Sequence, residues 1–316
     1  MIPQQPFISI CIPSYKNVDY LKRLLDSIQE QTFKDIEVII SDDSPDDAVS
    51  EFIKAYTFNN ALKYFKNSPS LGTPANWNEA IRNAKGKWIK IMHDDDWFAT
   101  NDALQVYHNY VTKYPEVKFF FGAYYNINLQ NNKALQVKNS LLDKLLLRLS
   151  PLNLFRKNTV GNPSCSFIKN ENFLFYDERL KWVVDFDFSI STLLKFKKYK
   201  YIPEYLIKVG LGSEQVTESC FRHPVVEIPE NFILLEKHGI QILKNIIVYD
   251  YYWRLFRNLN ITKESEILQY YPAAVINSYV KKMLHCQDRV SSKLLHNGIV
   301  SKLLMAFTYC RSVLFK

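Results

Sequence analysis

The chain has 316 residues, a formal net charge of +8, 47% hydrophobic residues and 15% aromatic ones. That is enough apolar material for one large or two modest domains, and with only eight glycines it excludes a disordered or low-complexity chain. The positive charge points to an anionic partner (a nucleotide, a nucleic acid or a membrane surface) without choosing among them.

Cys11, Cys165, Cys220, Cys286 and Cys310 form no CxxC and no Cys/His zinc spacing. Their odd count and wide scatter fit reduced thiols in a cytoplasmic protein. The opening MIPQQPFISICIPSYK has no basic stretch followed by a long apolar one, so no signal peptide is expected. No uncharged apolar run reaches the ~18 residues of a membrane span. The expected location is the cytoplasm, with peripheral contact at the inner face of the cell membrane as its extension.

FISICIP (Phe7 to Pro13) is short, rich in β-branched residues and predicts a buried strand. Apolar residues at Leu21, Leu24, Leu25 and Ile28 predict an amphipathic helix from Asp19 to Gln31, with Asp19 as its cap. Asp35 to Ser41 predicts a second strand, Ala48 to Phe58 a helix, and Leu62 to Phe65 a third strand. Asn76 to Ala84 predicts a helix broken by Gly86, and Trp88 to Met92 a fourth strand. Alternation of this kind predicts an α/β fold with a mostly parallel sheet and helices on both faces.

Asp102 to Tyr114 continues as helix and Lys118 to Tyr124 as strand. Leu141 to Phe155 reads as an amphipathic helix or flap, Gly161 to Ile168 as strand, and Asp187 to Lys195 as helix. Beyond about Gly212 the β pattern fades into helical periodicity broken at Pro272. A boundary near residue 215 then separates a domain over 1–215 from a C-terminal helical region over 216–316.

Open α/β sheets bind ligands outside the carboxyl ends of their strands. Three polar clusters stand there: Pro13-Ser14-Tyr15, Asp42-Asp43-Ser44, and His93 followed by Asp94, Asp95 and Asp96. An Asp pair alone is turn chemistry more often than a site, and an acidic triplet alone is a solvated turn or a metal site. Three clusters on one sheet favour a site. Carboxylates without a Cys/His set suit a hard divalent cation, Mg²⁺ or Mn²⁺, which completes its shell with phosphate and water.

CIPSYKN, then SIQEQTF before IEVIISDDS, then NWNEAIRNAKGKWIKIMHDDDWF, resemble in wording and order glycosyltransferase family 2, the inverting GT-A (Rossmann-like) fold, over roughly residues 5–210. The resemblance implies a metal-dependent transfer of a sugar from a nucleotide diphosphate sugar, a UDP-sugar first, to a saccharide acceptor. In bacterial surface-polysaccharide assembly that acceptor is often lipid-linked. Tyr15 would lie against the base, Pro13 would line its pocket, Asp43 would accept from the base and Asp42 would support it or face the ribose. Asp94 would face ribose or sugar. Asp95 would be the metal ligand and Asp96 an alternative or supporting one.

This chain departs from the family pattern in places. The Asp-x-Asp-Asp form begins here with His93, as packing residue or ligand. Trp77 replaces the Arg of an Arg-Asn pair whose Asn is Asn78, and Arg82 or Lys85 is the substitute for the lost contact. Asn76 reads equally as a helix cap. The Glu-Asp pair that carries the general base appears as Val184-Asp185, so Asp185 is the expected base and Asp187 the runner-up or a cap.

Asn162 or Ser164 would touch the acceptor or form a simple turn. Glu214 to Thr217, or Arg222 or His223, would close over the diphosphate. Lys281 to Lys316, basic and leucine-rich with Leu303, Leu304, Phe307 and Leu314 as one stripe, reads as a helix on anionic lipid or one packed on the protein. A nucleotidyltransferase is the alternative enzyme, but CIPSYKN is no Gly-rich triphosphate loop. A non-catalytic nucleotide-sugar module is another reading. Nucleic-acid binding has charge in its favour but no motif, so no nucleic-acid partner is expected.

Overall fold

The computed structural model describes residues 5–171, 174–212 and 220–314. The chain divides into two compact units. The first spans Met1–Asp143, Thr159–Glu178 and Val184–Gln215. Its elements begin β1 (Ile8–Ser14), α1 (Val18–Gln29), β2 (Ile36–Asp42), α2 (Ala48–Ala55), β3 (Ala61–Lys66), α3 (Ala75–Arg82), β4 (Trp88–Ile91) and β5 (Trp97–Phe98). They continue with α4 (Ala103–Lys113), β6 (Phe119–Asn128), β7 (Ala134–Val137), α5 (Leu141–Leu149, which crosses into the second unit), β8 (Ser166–Lys169), α6 (Val184–Phe196) and β9 (Lys200–Leu211).

These strands form one sheet in the order β3-β2-β1-β4-β8-β6-β9-β5, with β7 on β6. β3, β2, β1 and β4 run parallel, as the helical crossovers between them require. β8 joins β4 and β6 antiparallel, β9 returns parallel to β6, and β5 pairs antiparallel with β9. The sheet is therefore mixed beyond β4, a GT-A-like arrangement rather than a mostly parallel one. β5 follows β4 after a turn too short for a crossover back to a parallel neighbour, and forms the edge of the sheet antiparallel to β9. β9 escapes the periodicity because Pro203 and the register shifts opposite Gly122 and Ala123 interrupt its alternation.

The core of this unit is the face on which Ile8, Ile10, Ile12, Val38 and Ile40 meet Leu21, Leu24, Leu25 and Ile28 of α1 and Leu104, Tyr107 and Val111 of α4. Each such side chain contributes about 1.5–3 kcal/mol on burial. Local starts differ from the sequence expectation. Asn17 caps α1, accepting the Tyr20 N–H at 3.0 Å, and Asp19 sits in the first turn instead. Pro74 occupies the cap position of α3, so Asn76 is no cap. α6 begins at Val184, which puts both Asp185 and Asp187 in its first turn rather than at its cap. The 141–155 segment divides into α5 and a 3₁₀ turn at Pro151–Phe155, begun by Ser150.

The second unit comprises Lys144–Asn158, Arg179–Val183 and Val216–Lys316. Its helices include Pro224–His238, Ile246–Leu259, Ser278–Asp288 and Gly298–Tyr309. They close around Phe232, Tyr249, Tyr252, Trp253 and Phe256, all within 1% of full burial. Trp253 donates its indole N–H to Ser301 at 3.0 Å. The buried Glu230 carboxylate accepts the N–H groups of Lys181, Trp182 and Val183 at 2.8–3.0 Å. Arg222 and His223 belong to this unit, and Glu214 to Thr217 lie outside the described residues. In the last long helix Ile299, Leu303 and Phe307 are exposed, while Leu304 is half-buried and the side chain of Leu314 lies outside the described residues. Among the described residues Cys11, Cys165, Cys286 and Cys310 form no disulfide, and no described helix is long and apolar enough to cross a membrane.

Candidate active site

Parallel pairing brings the carboxyl ends of β1, β2 and β4 level. Ser14 lies opposite Asp42, and Cys11 opposite Ile91. Beyond those ends the chain is tied across by its own backbone. The Asp43 N–H donates to the Ser14 carbonyl at 3.0 Å, Lys16 (φ 64°) donates its N–H to Ser44 Oγ at 2.7 Å, and Tyr15 donates its N–H to Asp94 at 3.0 Å. Pro13 is buried in β1, whereas the Tyr15 ring is 53% exposed, a large aromatic left in solvent where the strand ends.

The two aspartates after β2 are occupied by the protein. Asp42 is fully buried and accepts the Ser44 N–H at 2.8 Å and the Tyr64 hydroxyl at 2.7 Å. Asp43 accepts Asn67 Nδ2 at 2.8 Å, the Leu71 N–H at 3.0 Å and the Gly72 N–H at 2.6 Å, so it shapes the loop that leads to α3. Asn76 joins this network, receiving Asn67 Nδ2 at 3.1 Å. Asn78 is committed elsewhere. Both hydrogens of its amide are spent, on the Tyr176 carbonyl and on Glu178, and its oxygen accepts the Tyr176 N–H. Arg82 is paired with Glu79 and Glu178.

The His93–Asp96 turn is built differently. Burial, then the neighbouring charge of Asp95, pushes the Asp94 carboxyl up to about 7. The same two causes raise Asp96, which is fully buried. Asp96 accepts Asn162 Nδ2 at 2.8 Å and the Gly210 N–H at 3.0 Å. Position 210 needs glycine: a Cβ there would stand 2.4 Å from the Asp95 carbonyl oxygen. Burial holds His93 down at about 4, so its imidazole is neutral. The ring lies 4.6 Å from the Trp77 indole, and its buried Nε2 has no hydrogen-bond partner among the described residues.

One ligand atom each from His93, Asp95 and Asp96 lies within 4.8 Å of the others. A neutral imidazole nitrogen beside two carboxylates is a donor set that fits a divalent cation, because one positive charge relieves the carboxylate repulsion. His93 thus has the packing contact and also a free donor atom. Arg23 is a member that sequence reasoning missed. It donates to the Asp95 carbonyl at 2.9 Å, lies 3.9 Å over the Trp97 ring, and feels the charges of all three aspartates. Its only sequence signal is a cation on the polar edge of α1.

Asp185, half-buried in the first turn of α6, is pushed up to about 7 by burial. Its charge and that of Asp96 both act on the Cys165 thiol. An aromatic chain connects the two regions: His93 on Trp77, Trp77 edge-on to Tyr176 at 5.1 Å, and Tyr176 stacked on Phe188 of α6 at 3.9 Å. Trp77 therefore fills, as a packing residue, the place where an Arg was expected. Asp187 is buried.

Comparison with known proteins gives the family and the fold. An uncharacterised glycosyltransferase of Methanocaldococcus jannaschii is 29% identical over 209 residues, 65% of this chain and 70% of that protein. Several longer curated glycosyltransferases are matched over only about a third of their length. Among solved structures, Staphylococcus aureus TarS 1-349 in complex with UDP-GlcNAc superposes with a TM-score of 0.66 at 17% identity, over 97% of this chain and 90% of that one. The mannosyltransferase PcManGT of Pyrobaculum calidifontis, in complex with GDP-Man and Mn²⁺, gives 0.56 at 14% identity, over 99% and 88%. The sequence profile described as Glycosyl transferase family 2 matches residues 9–178, and the chain belongs to that family of glycosyltransferases.

Proposed function

We propose that this glycosyltransferase moves a sugar from a nucleotide diphosphate sugar, a UDP-sugar first, to a saccharide acceptor with inversion at the anomeric carbon. The observation that carries this reading is the His93/Asp95/Asp96 cluster beside the exposed Tyr15 ring, at the carboxyl edge of the sheet. The UDP-GlcNAc complex of the TarS fold relative supports the nucleotide class, and the Mn²⁺ complex of PcManGT supports the metal.

Tyr15 stacks on the base, Pro13 backs the pocket, and Asp43 accepts a base N–H with the lone pair that Gly72 leaves on its second oxygen. Asp42 supports that loop from below. Asp94, bonded to the Tyr15 N–H, couples the base pocket to the acidic turn and faces the ribose. Asn78 contributes by holding the 176–178 segment rather than by touching nucleotide. Asp95 and Asp96 hold the cation, with His93 Nε2 as third ligand, a nitrogen donor that favours Mn²⁺ over the strictly oxygen-seeking Mg²⁺. When bound, the ion neutralises charge on the departing diphosphate. Asp185 takes the acceptor hydroxyl proton as that oxygen bonds to the anomeric carbon. The bond from that carbon to the diphosphate breaks, and its electron pair leaves with the nucleotide. A carboxylate raised to about 7 is matched to that task near neutral pH.

The acceptor in this reading is a lipid-linked saccharide of surface-polysaccharide assembly, met at the inner face of the membrane. The exposed Ile299, Leu303 and Phe307, on a segment that also carries Lys293, Lys302 and Arg311, support that contact. Purified protein with Mn²⁺ or Mg²⁺ and a panel of UDP-, GDP- and dTDP-sugars, assayed for released nucleotide diphosphate with and without lipid-linked acceptor, tests the reaction. Metal-dependent release from one donor supports it, and failure of every nucleotide to bind removes it. Cosedimentation with phosphatidylglycerol vesicles but not phosphatidylcholine ones tests the membrane contact.

A further inference from the structure

Lys90 is a buried lysine, its amine pulled down to about 7 by burial, that the chemistry above does not use. It lies in β4 with 0% exposure. A lysine has three N–H donors, and burial removes their water. All three are satisfied inside the protein: Nζ donates to the Ser164 carbonyl, to the Ser166 carbonyl at 3.2 Å and to the Tyr107 hydroxyl at 3.4 Å. The ammonium also lies 5.0 Å from the centre of the Tyr107 ring.

The position of this clamp matters. The β4–β8 ladder pairs Trp88 with Lys169 and Ile89 with Ile168, and goes no further. Lys90 is the next residue along β4. Its side chain takes over where backbone pairing ends, gripping the carbonyls on both sides of Cys165 in the 3₁₀ turn Pro163–Cys165. That turn in turn holds the acidic one. Ser164 Oγ accepts the His93 N–H at 3.0 Å and hydrogen-bonds the Asp96 carboxylate, while Asn162 donates to Asp96 at 2.8 Å. A neutral apolar residue at position 90 would remove the donor that both carbonyls share and the tie between β4 and the turn.

We propose that Lys90 is a positioning residue whose ammonium clamps the 162–166 turn to β4 and thereby sets His93 and Asp96 at ligand spacing. The metal arm of its test rests on the reading of the acidic turn given above; the exchange arm does not.

Full-length wild type, Lys90→Met and Ser164→Ala are compared by thermal melting, by hydrogen–deuterium exchange mass spectrometry, and by Mn²⁺ titration followed by electron paramagnetic resonance of the free ion. In Lys90→Met, exchange is expected to quicken in peptides covering 92–98 and 161–167 and to stay unchanged in the helices of the second unit. Its Mn²⁺ Kd rises about tenfold or more, the scale of a lost outer partner of metal ligands. Ser164→Ala keeps the clamp, which uses backbone carbonyls, but cuts its link to His93 and Asp96. It is expected to weaken Mn²⁺ binding and to quicken exchange at 92–98 while sparing 161–167. A folded Lys90→Met protein with unchanged Mn²⁺ affinity and unchanged exchange at 92–98 overturns the proposal. If Lys90→Met does not fold, Lys90→Gln, which keeps a donor at that position, is read by the same two measurements, and a folded Lys90→Gln protein with unchanged Mn²⁺ affinity and unchanged exchange at 92–98 overturns the proposal. If the wild type binds no Mn²⁺, the metal reading falls, and exchange at 92–98 alone settles the role of Lys90.

Discussion

The Asp42–Asp43 loop after β2 and the His93–Asp96 turn after β4 start from the same material, adjacent aspartates at the carboxyl end of a parallel strand, and end differently. After β2, five hydrogen bonds from Ser44, Tyr64, Asn67, Leu71 and Gly72 absorb the two carboxylates and turn them into loop structure. After β4, the carboxylates crowd one another under a neutral imidazole, and two of them are raised by burial and by Asp95. The first pair holds a loop together; in the second, burial and the charge of Asp95 outweigh the bonds that Tyr15, Asn162 and Gly210 donate to Asp94 and Asp96. Asp185, raised to about 7 with no cationic partner among the causes of its shift, sides with the second group.

The largest expected effect separates the two groups by activity. Asp185→Asn should lower turnover by about a thousandfold without lowering the melting temperature, which should rise above that of the wild type near neutral pH. Wild-type turnover should rise with pH through about 7. The folded protein keeps the Asp185 proton up to about 7, whereas the unfolded chain releases it near 3.8. Between those values the folded state binds more protons, so this group's contribution to stability falls as pH rises. Melting curves from pH 4 to 8 should show that decline flattened in Asp185→Asn. An unchanged pH–rate profile in the variant would place the base elsewhere.

Asp95→Ala should cost at least about a hundredfold in metal-dependent turnover, with little change in stability. Full turnover at saturating Mn²⁺ would erase the distinction between the two loops. Asp42→Ala should do the reverse. It strands the Tyr64 hydroxyl and the Ser44 N–H, so urea unfolding should report a loss of about 2–4 kcal/mol, with turnover per folded molecule nearly kept. The smallest effect sharpens the base pocket: Tyr15→Ala, at an exposed ring, should raise the Kd for UDP about tenfold by calorimetry and leave the melting temperature alone.

Much of this was legible along the chain. β1 to β4 and their helices follow from local alternation, because each crossover lies between strands that are neighbours in sequence or nearly so. The apolar stripe of α1 appears in the sequence at the spacing that the helix buries. The three strand-end clusters were legible for the same reason: a parallel sheet puts all its carboxyl ends on one edge. β9 and the pairing of β5 were not, since β9 pairs with β6 about 80 residues before it and with β5 more than a hundred before it, and a proline and a bulge obscure the period of β9. The bonds of Asn78 were not legible either: its amide reaches Tyr176 and Glu178, about a hundred residues downstream.

The sequence by itself determined which residue types stand at the strand ends and that they suit a hard cation, because spacing and charge are local properties. Only the tertiary structure decided which acids are free to act. Whether a carboxylate is absorbed or strained depends on donors brought from distant segments: Tyr64 and Gly72 to the first loop, Asn162, Ser164 and Gly210 to the second. Burial raises an acid only where such donors and countercharges do not compensate it, and their supply is set by the packing of the whole sheet.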